Sequence, residues 1–340
     1  MSPSTPAPST VTIRSWKDGD DRALAQVLPD PGNPAQLAAR ALLREPGTSP
    51  LTRTVVATVG GVVVGAAAIA ESPAHPTRAW VHVEVAPGER RTGVGTALLA
   101  AVVAEAGETT LATLGLRARV AADDAAAVAF ARSAGFADLF TTRIVRIDAG
   151  ALGTAGLDRT EDLQVIDTGS VALTQAFAAW YERVNAVDPA APMSIGQVNT
   201  RFLSEAAGAH GAALWRPRGD AGAEDLNKRP VTAFAVSYAQ ERGDAGEPGG
   251  EGLAEAATAS GEADGRVLGV AGGEDATELT AGSVDGNLDD LRSLIARLSV
   301  DTPVVVEVTD AMETESALVD ELVEAGSARV LTSYATLVRD

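Results

Sequence analysis

The 340-residue chain has no cysteine and only three histidines, His75, His82 and His210. The first absence excludes disulfides, thiolate metal sites and cysteine nucleophiles together. The scatter of the histidines argues against a metal cluster, so no metal is expected. Long apolar runs are missing too: the longest, Val62–Ala70, has the length of a strand and not of a membrane span. The opening MSPSTPAPST lacks the basic start and apolar stretch of a secretory signal. Residues 1–10 therefore read as a disordered tail and the protein as cytoplasmic.

What is present is enough for two ordinary domains, each with its own core. The formal charge of −19 is unevenly spread. Residues 1–150 carry 14 basic and 14 acidic side chains, whereas residues 151–340 carry 13 and 32. Such a second half repels nucleic acid and anionic membranes and attracts cations, although an acidic face can also serve solubility alone.

Strands and helices alternate through the first half. Residues 11–16 read as a strand, and Asn33 caps a helix that starts on Pro34 and runs through QLAARALL. Residues 52–59 and 62–70 flank Gly60-Gly61, a hairpin signal. Residues 80–85 alternate, with Val81, Val83 and Val85 on one face and His82 and Glu84 on the other. A helix over 93–106 follows, its buried side formed by Leu98, Leu99, Val102 and Val103. A strand over 114–120, a helix over 123–134 and a strand over 136–147 complete the half. The end of the chain repeats this plan, with strands over 304–308 and 328–338 around a helix over 312–325. LTSYATLVRD at the C-terminus answers LFTTRIVRID at 139–148 in length and alternation. Linker composition at 151–160 and a Gly/Ala/Glu-rich stretch at 241–265, read as a mobile acidic insertion, delimit two tandem copies over 11–150 and 161–340.

The most informative stretch is VEVAPGERRTGVGTALL, residues 83–99. A strand feeding a glycine-rich turn and a helix presents backbone N–H groups at the positive end of that helix, a ready anion site. Gly93 and Gly95 let the main chain approach an anion, Arg90 and Arg91 add guanidinium donors, and Thr96 adds a hydroxyl. A tight turn into a helix needs nothing more, so the signal alone is weak. No Gly-Lys-Ser/Thr is present, and Leu98 stands where a dinucleotide fingerprint needs a third glycine.

Arg90-Arg91-Thr92-Gly93-Val94-Gly95 resembles the R/Q-x-x-G-x-G/A signature of the GNAT N-acetyltransferase superfamily, and DDAAAVAFARSAGF at 123–136 resembles the later helix and Gly-Phe that close its coenzyme site. The likeness covers roughly residues 11–148. It implies an α+β fold of two tandem GNAT-like domains, each a central, mostly antiparallel mixed sheet flanked by helices. It further implies that acetyl-CoA is held by Arg90, Arg91, Thr92, Gly93, Val94, Gly95 and Thr96, with backbone groups of Val83 and Val85 along the pantetheine arm and with Asp124 and Phe130 nearby. Asp124 stands where the family often has asparagine, and Ala131 where many members have a tyrosine that protonates the thiolate; Tyr181, Tyr238 or Tyr334 could replace it.

Acetyl transfer to an amine needs a base and an oxyanion donor. The polar face of the 80–85 strand offers Glu84 first and His82 second as base, unless both merely face solvent; the Val85 amide is the family-like oxyanion donor. In the second copy, GSVDGNLDDLRSLI (282–295) keeps Gly286 but has no preceding arginine, and Asp285, Asp289 and Asp290 crowd the helix start, so no coenzyme is expected there. The expected activity is direct transfer of acetyl to an amine of a small, cationic substrate by a monomer or homodimer. The alternatives are a non-catalytic acyl-CoA-binding or regulatory protein, or an enzyme like mycothiol synthase, a tandem family whose C-terminal copy is the competent one.

Overall fold

The computed structural model describes residues 11–31, 34–218, 225–238 and 275–340. The tail, Asn33 and the 241–265 insertion lie outside them. The described residues form two compact units: one holds residues 11–138 and 336–340, the other the described part of 139–335. The division falls inside a strand, between Asp138 and Leu139, and the last five residues return to the first unit.

In unit 1 the strands are β1 (Val11–Ser15), β2 (Gly47–Thr48), β3 (Leu51–Val59), β4 (Val62–Ala70), β5 (Arg78–Val85) and β6 (Gly115–Ala121). They lie in the order β1-β3-β4-β5-β6, with β2 on β3. Pairing is antiparallel except between β5 and β6. The expected hairpin forms, and Gly60 and Gly61 both take positive φ, 58° and 85°, as such a turn requires. Helices α1 (Asp20–Val27), α2 (Pro34–Arg40), α3 (Val94–Ala106) and α4 (Ala125–Ser133) accompany the sheet. Helix α2 stops at Arg40 and does not run through Leu43 as expected. A tighter turn, with Leu43 N–H on the Arg40 carbonyl at 2.9 Å, brings Leu42 and Leu43 into the core beside Leu24, Leu28 and Trp80.

On α3 the buried residues are Val94, Leu98, Leu99, Val102 and Ala106, while Val103 is only half-buried. Positions 94, 98, 102 and 106 are spaced by one helical turn, and Val103 lies beside that row. Leu98 is fully buried, worth about 1.5–3 kcal/mol of apolar transfer. Beneath it the sheet admits no side chain: a Cβ on Gly65 would stand 2.5 Å from the Glu84 carbonyl oxygen.

Unit 2 begins with the larger part of β7 (Ala137–Ile147). It adds β8 (Leu163–Ile166), β9 (Ala209–Trp215), β10 (Ala233–Tyr238), β11 (Thr277–Ser283), β12 (Val304–Thr309) and most of β13 (Ala328–Arg339). The order is β13-β7-β12-β11-β10-β9-β8. The β11–β12 pair is parallel, and the pairs β12–β7, β11–β10, β10–β9 and β9–β8 are antiparallel. Its helices are α5 (Val171–Val184), α6 (Ile195–Val198), α7 (Leu288–Leu298) and α8 (Glu313–Glu324). Leu291, Leu294, Leu318 and Leu322 from α7 and α8 share one core with Trp215 and β12. Phe177 and Trp180 from α5 share another with Phe234 and Leu214.

The two units share one departure from a regular sheet. In unit 1 the parallel pair is joined only from Arg78↔Gly115 to Trp80↔Arg117, and in unit 2 only from Thr277↔Val304 to Leu279↔Val306. Beyond those residues the strands part. The architecture is thus α+β with mostly antiparallel mixed sheets flanked by helices, as expected.

Candidate active site

The β5–α3 connection is built to leave backbone donors unclaimed. Pro87–Glu89 forms a single 3-10 turn, after which Arg91 and Gly93 take left-handed φ angles of 66° and 93°. Gly93 occupies the N-cap position of α3 and has no side chain to offer, so the first-turn amides receive no side-chain cap. A Cβ on Gly93 would meet nothing within 4 Å; it is the backbone angle that calls for glycine. At Gly95 the constraint is space, because a Cβ there would lie 3.4 Å from the Phe130 ring of α4. Thr92 Oγ1 donates to the Glu89 carbonyl at 2.7 Å and braces the turn. Arg90, Arg91, Thr92, Gly93 and Thr96 are exposed, Val94 is buried, and Phe130 is half-buried.

The free edge of β5 runs into this turn. Ala86 N–H bonds the Val64 carbonyl at 2.8 Å, which sets the alternation. Backbone groups of Glu84 and His82 point to β4, and those of Val81, Val83 and Val85 point the other way. On that other side, pairing with β6 has already ended at Trp80. Arg90 Nε donates to the Val85 carbonyl at 3.0 Å, so the arginine steadies the strand end, while among the described residues no strand pairs with the Val85 N–H.

On the sheet face shared with Trp80, His82 and Glu84 do not simply face water. Glu84 is buried, and Arg40 at the end of α2 grips both its oxygens: Nε lies 2.9 Å from Oε2, and Nη2 bonds Oε1. His82 Nε2 is 3.3 Å from the same Oε2. Burial pushes the Glu84 pKa up, but hydrogen bonds from His82 and Arg40 outweigh it and hold the group at about 2, below the ordinary 4.5. Two residues earlier, the Trp80 ring lies under the guanidiniums of Arg117 and Arg119, at 3.8 and 5.1 Å. Sequence reading missed Arg40. It lies 44 residues before Glu84 on a helix with no motif, and only the folded chain brings the two together.

An uncapped helix start can receive an anion on its backbone N–H groups; here an open strand edge leads to it and a polar cluster lies beside that edge. The model of the acetyltransferase (GNAT) family matches residues 21–136, which contain all of them. Residues 21–136 are a GNAT acetyltransferase domain. Among solved structures, the chain is similar to the GCN5-related N-acetyltransferase of Sphaerobacter thermophilus (12% identity, 97% of this chain and 95% of that one, TM-score 0.52). It is also similar to the glucosamine N-acetyltransferase region of a fungal multi-domain beta-N-acetylglucosaminidase (15% identity, 98% and 38% of the two chains, TM-score 0.57). The chain thus spans well under half of that fungal protein. At these identities the likeness is one of fold. Among the curated proteins no relative matches.

Members of the GNAT family use acetyl-CoA and transfer acyl groups. In this GNAT domain the carboxylate of Asp124 caps α4, accepting from Ala127 N–H at 2.9 Å. Ala131 is buried and carries no proton to give. The three tyrosines all lie in unit 2: Tyr238 donates to the Phe202 carbonyl at 2.9 Å, Tyr334 is buried, and Tyr181 stacks on Phe177. The described residues contain no helix long and apolar enough to cross a membrane, and no group of three potential metal ligands.

The counterpart in unit 2 is the turn from β11 to α7. Val284 N–H bonds the Thr232 carbonyl at 2.7 Å, so Ser283 stands where Val85 stands in the GNAT domain, its N–H turned from β10. That N–H donates instead to Glu315 Oε1 at 2.9 Å, and Trp180 Nε1 donates to the same oxygen at 2.9 Å. Asn287 caps α7 through Asp290 N–H at 3.1 Å, and Asp285 accepts the N–H of Asn287 at 3.0 Å. Asp290 accepts from Trp215 Nε1 and Arg159, so two of the expected acidic residues belong to this network.

Proposed function

We propose that unit 1 transfers acetyl from acetyl-CoA directly to the amine of a small cationic substrate. The observation that carries this reading is the uncapped first turn of α3 at the end of an open strand edge, inside a segment matched by the family model. Amides from Gly93 to Thr96, with Arg91 alongside, would hold the diphosphate. The Val83 and Val85 backbone would take the pantetheine arm as a strand takes a neighbour, and the Val85 N–H would meet the thioester oxygen as charge develops there.

The acceptor arrives as an ammonium ion and gives one proton to a base on the His82–Glu84 pair. Its nitrogen lone pair then forms the new C–N bond, and the C–S electron pair leaves with sulfur. With alanine at position 131, the second N–H proton passes to the departing thiolate, directly or through water, giving CoA as the thiol. A carboxylate that titrates near 2 is a weak base at neutral pH, which favours His82 for the first proton.

The cationic acceptor rests on the acidic surplus of residues 151–340; polyamines, amino sugars and aminoglycosides are the classes to try. Thiol release from acetyl-CoA with such a panel tests the function. The expected result is turnover with at least one cationic amine that weakens as salt rises. Binding of CoA without thiol release from any amine would favour the second reading, a non-catalytic acyl-CoA-binding protein, which Ala131 and the committed Asp124 support. Absence of CoA binding would remove both.

A further inference from the structure

Proton removal needs a base of defined tautomer, and His82 has two ring nitrogens to choose between. Its Nε2 lies 3.3 Å from Glu84 Oε2, a distance at which only a protonated nitrogen is attracted to a carboxylate. Glu84 would be a movable partner were it alone, but both its oxygens are held in a fork by Arg40. Arginine suits this task because two parallel N–H groups match the carboxylate plane. The three side chains are 14%, 7% and 20% exposed for His82, Glu84 and Arg40, so the carboxylate sits deepest and the imidazole remains within reach of a ligand. Strand β4 brings no titratable side chain to this place, its sequence being VVVGAAAIA; β6 brings Arg117 and Arg119 over Trp80.

We infer that Arg40 is a positioning residue for His82: by fixing Glu84 it secures the carboxylate that accepts the Nε2–H, and so leaves Nδ1 as the base for the amine. The inference rests on the reading of unit 1 as an N-acetyltransferase, and it gives helix α2 a part in the reaction that acts through Glu84 and His82. In the step itself, the ammonium proton moves to Nδ1, the imidazolium is stabilised by Glu84, and the proton is later lost to solvent.

A merely structural ion pair between α2 and β5 would affect stability and leave the imidazole tautomer alone. The test is therefore a long-range ¹H–¹⁵N spectrum of the full chain with labelled histidine at neutral pH. His82 is assigned by its loss in His82→Asn. The expected spectrum shows Nε2 protonated and Nδ1 bare. Arg40→Gln should mix the tautomers and lower kcat by about 10²-fold, the low end of what a positioned base supplies, with KM for acetyl-CoA changed by no more than about twofold. Arg40→Lys, which keeps the charge and loses the fork, should recover part of both. Protonation on Nδ1 in the unaltered protein, or an unchanged tautomer in Arg40→Gln and Arg40→Lys alike, overturns the inference. The spectrum needs no acceptor, so it decides the positioning role even where thiol release fails and the transferase reading falls with it.

Discussion

Two turns in this molecule start from the same geometry and end differently. Each follows a strand of a splayed parallel pair, contains a left-handed glycine (Gly93 at 93°, Gly286 at 84°) and opens a helix. At α3 the helix start carries no side-chain cap and the Val85 amide faces an unpaired edge. At α7, Asn287 caps the helix, and the Ser283 amide is held by the buried Glu315. The lesson is that a backbone anion site consists of donors left without internal partners. Filling them from within the chain removes the site while keeping the fold.

The largest expected effect comes from closing the open turn. Gly93→Asp puts a carboxylate among the amides proposed to hold the diphosphate, and a side chain at φ 93°. Calorimetry should register a loss of about 100-fold or more in CoA affinity. Gly286→Asp, its counterpart, should leave that affinity unchanged. If both substitutions weaken CoA equally, the contrast between the turns is wrong.

Next comes the filled turn. Glu315→Ala removes the shared acceptor of Trp180 and Ser283, and denaturant unfolding should show a loss of about 1–3 kcal/mol per orphaned donor. On the proposed function, this variant and the unaltered protein should both take up one CoA per chain. A second equivalent of CoA on this variant would mean that Glu315 alone keeps unit 2 closed.

A smaller, pH-dependent effect belongs to Glu84. Its folded pKa, about 2, lies below the ordinary 4.5. Its stabilisation is therefore complete above pH 4.5 and is lost as pH falls towards 2. The linked amount is of order 2 kcal/mol after screening is allowed for. Glu84→Gln should flatten the stability profile over that interval, and an unchanged slope would show that the Arg40 fork does not hold the carboxylate down. Smallest of all is Asp340→Asn, which loses a 2.8 Å pair with Arg78; with Asp340 largely exposed, the expected loss is well under 1 kcal/mol.

Much of the α3 turn was legible in the chain because its determinants are local: alternation in β5, a glycine forced by a positive φ, a second glycine beneath Phe130. The state of Glu84 was not, because a residue at the middle of a strand can face water or a helix, and the helix residue that decides is 44 positions away. Glu315 was invisible for the same reason. Its carboxylate lies 32 residues from the amide it holds, on a helix whose sequence reads as an ordinary acidic start.

By itself the sequence determined the strand and helix periods and the glycine turn, since each depends on neighbours within a few residues. Only the tertiary structure decided where the two closing strands go. LFTTRIVRID and LTSYATLVRD are alike in length and alternation, so pattern does not tell which sheet receives which. In the fold, β7 pairs with β12 of unit 2 from Thr142↔Thr309 to Ile147↔Val304. The last five residues of the chain join unit 1, where Arg339 lies over Phe136 and bonds the Ala134 carbonyl at 3.0 Å. Strand pairing is settled by long-range register and burial, which no local stretch encodes.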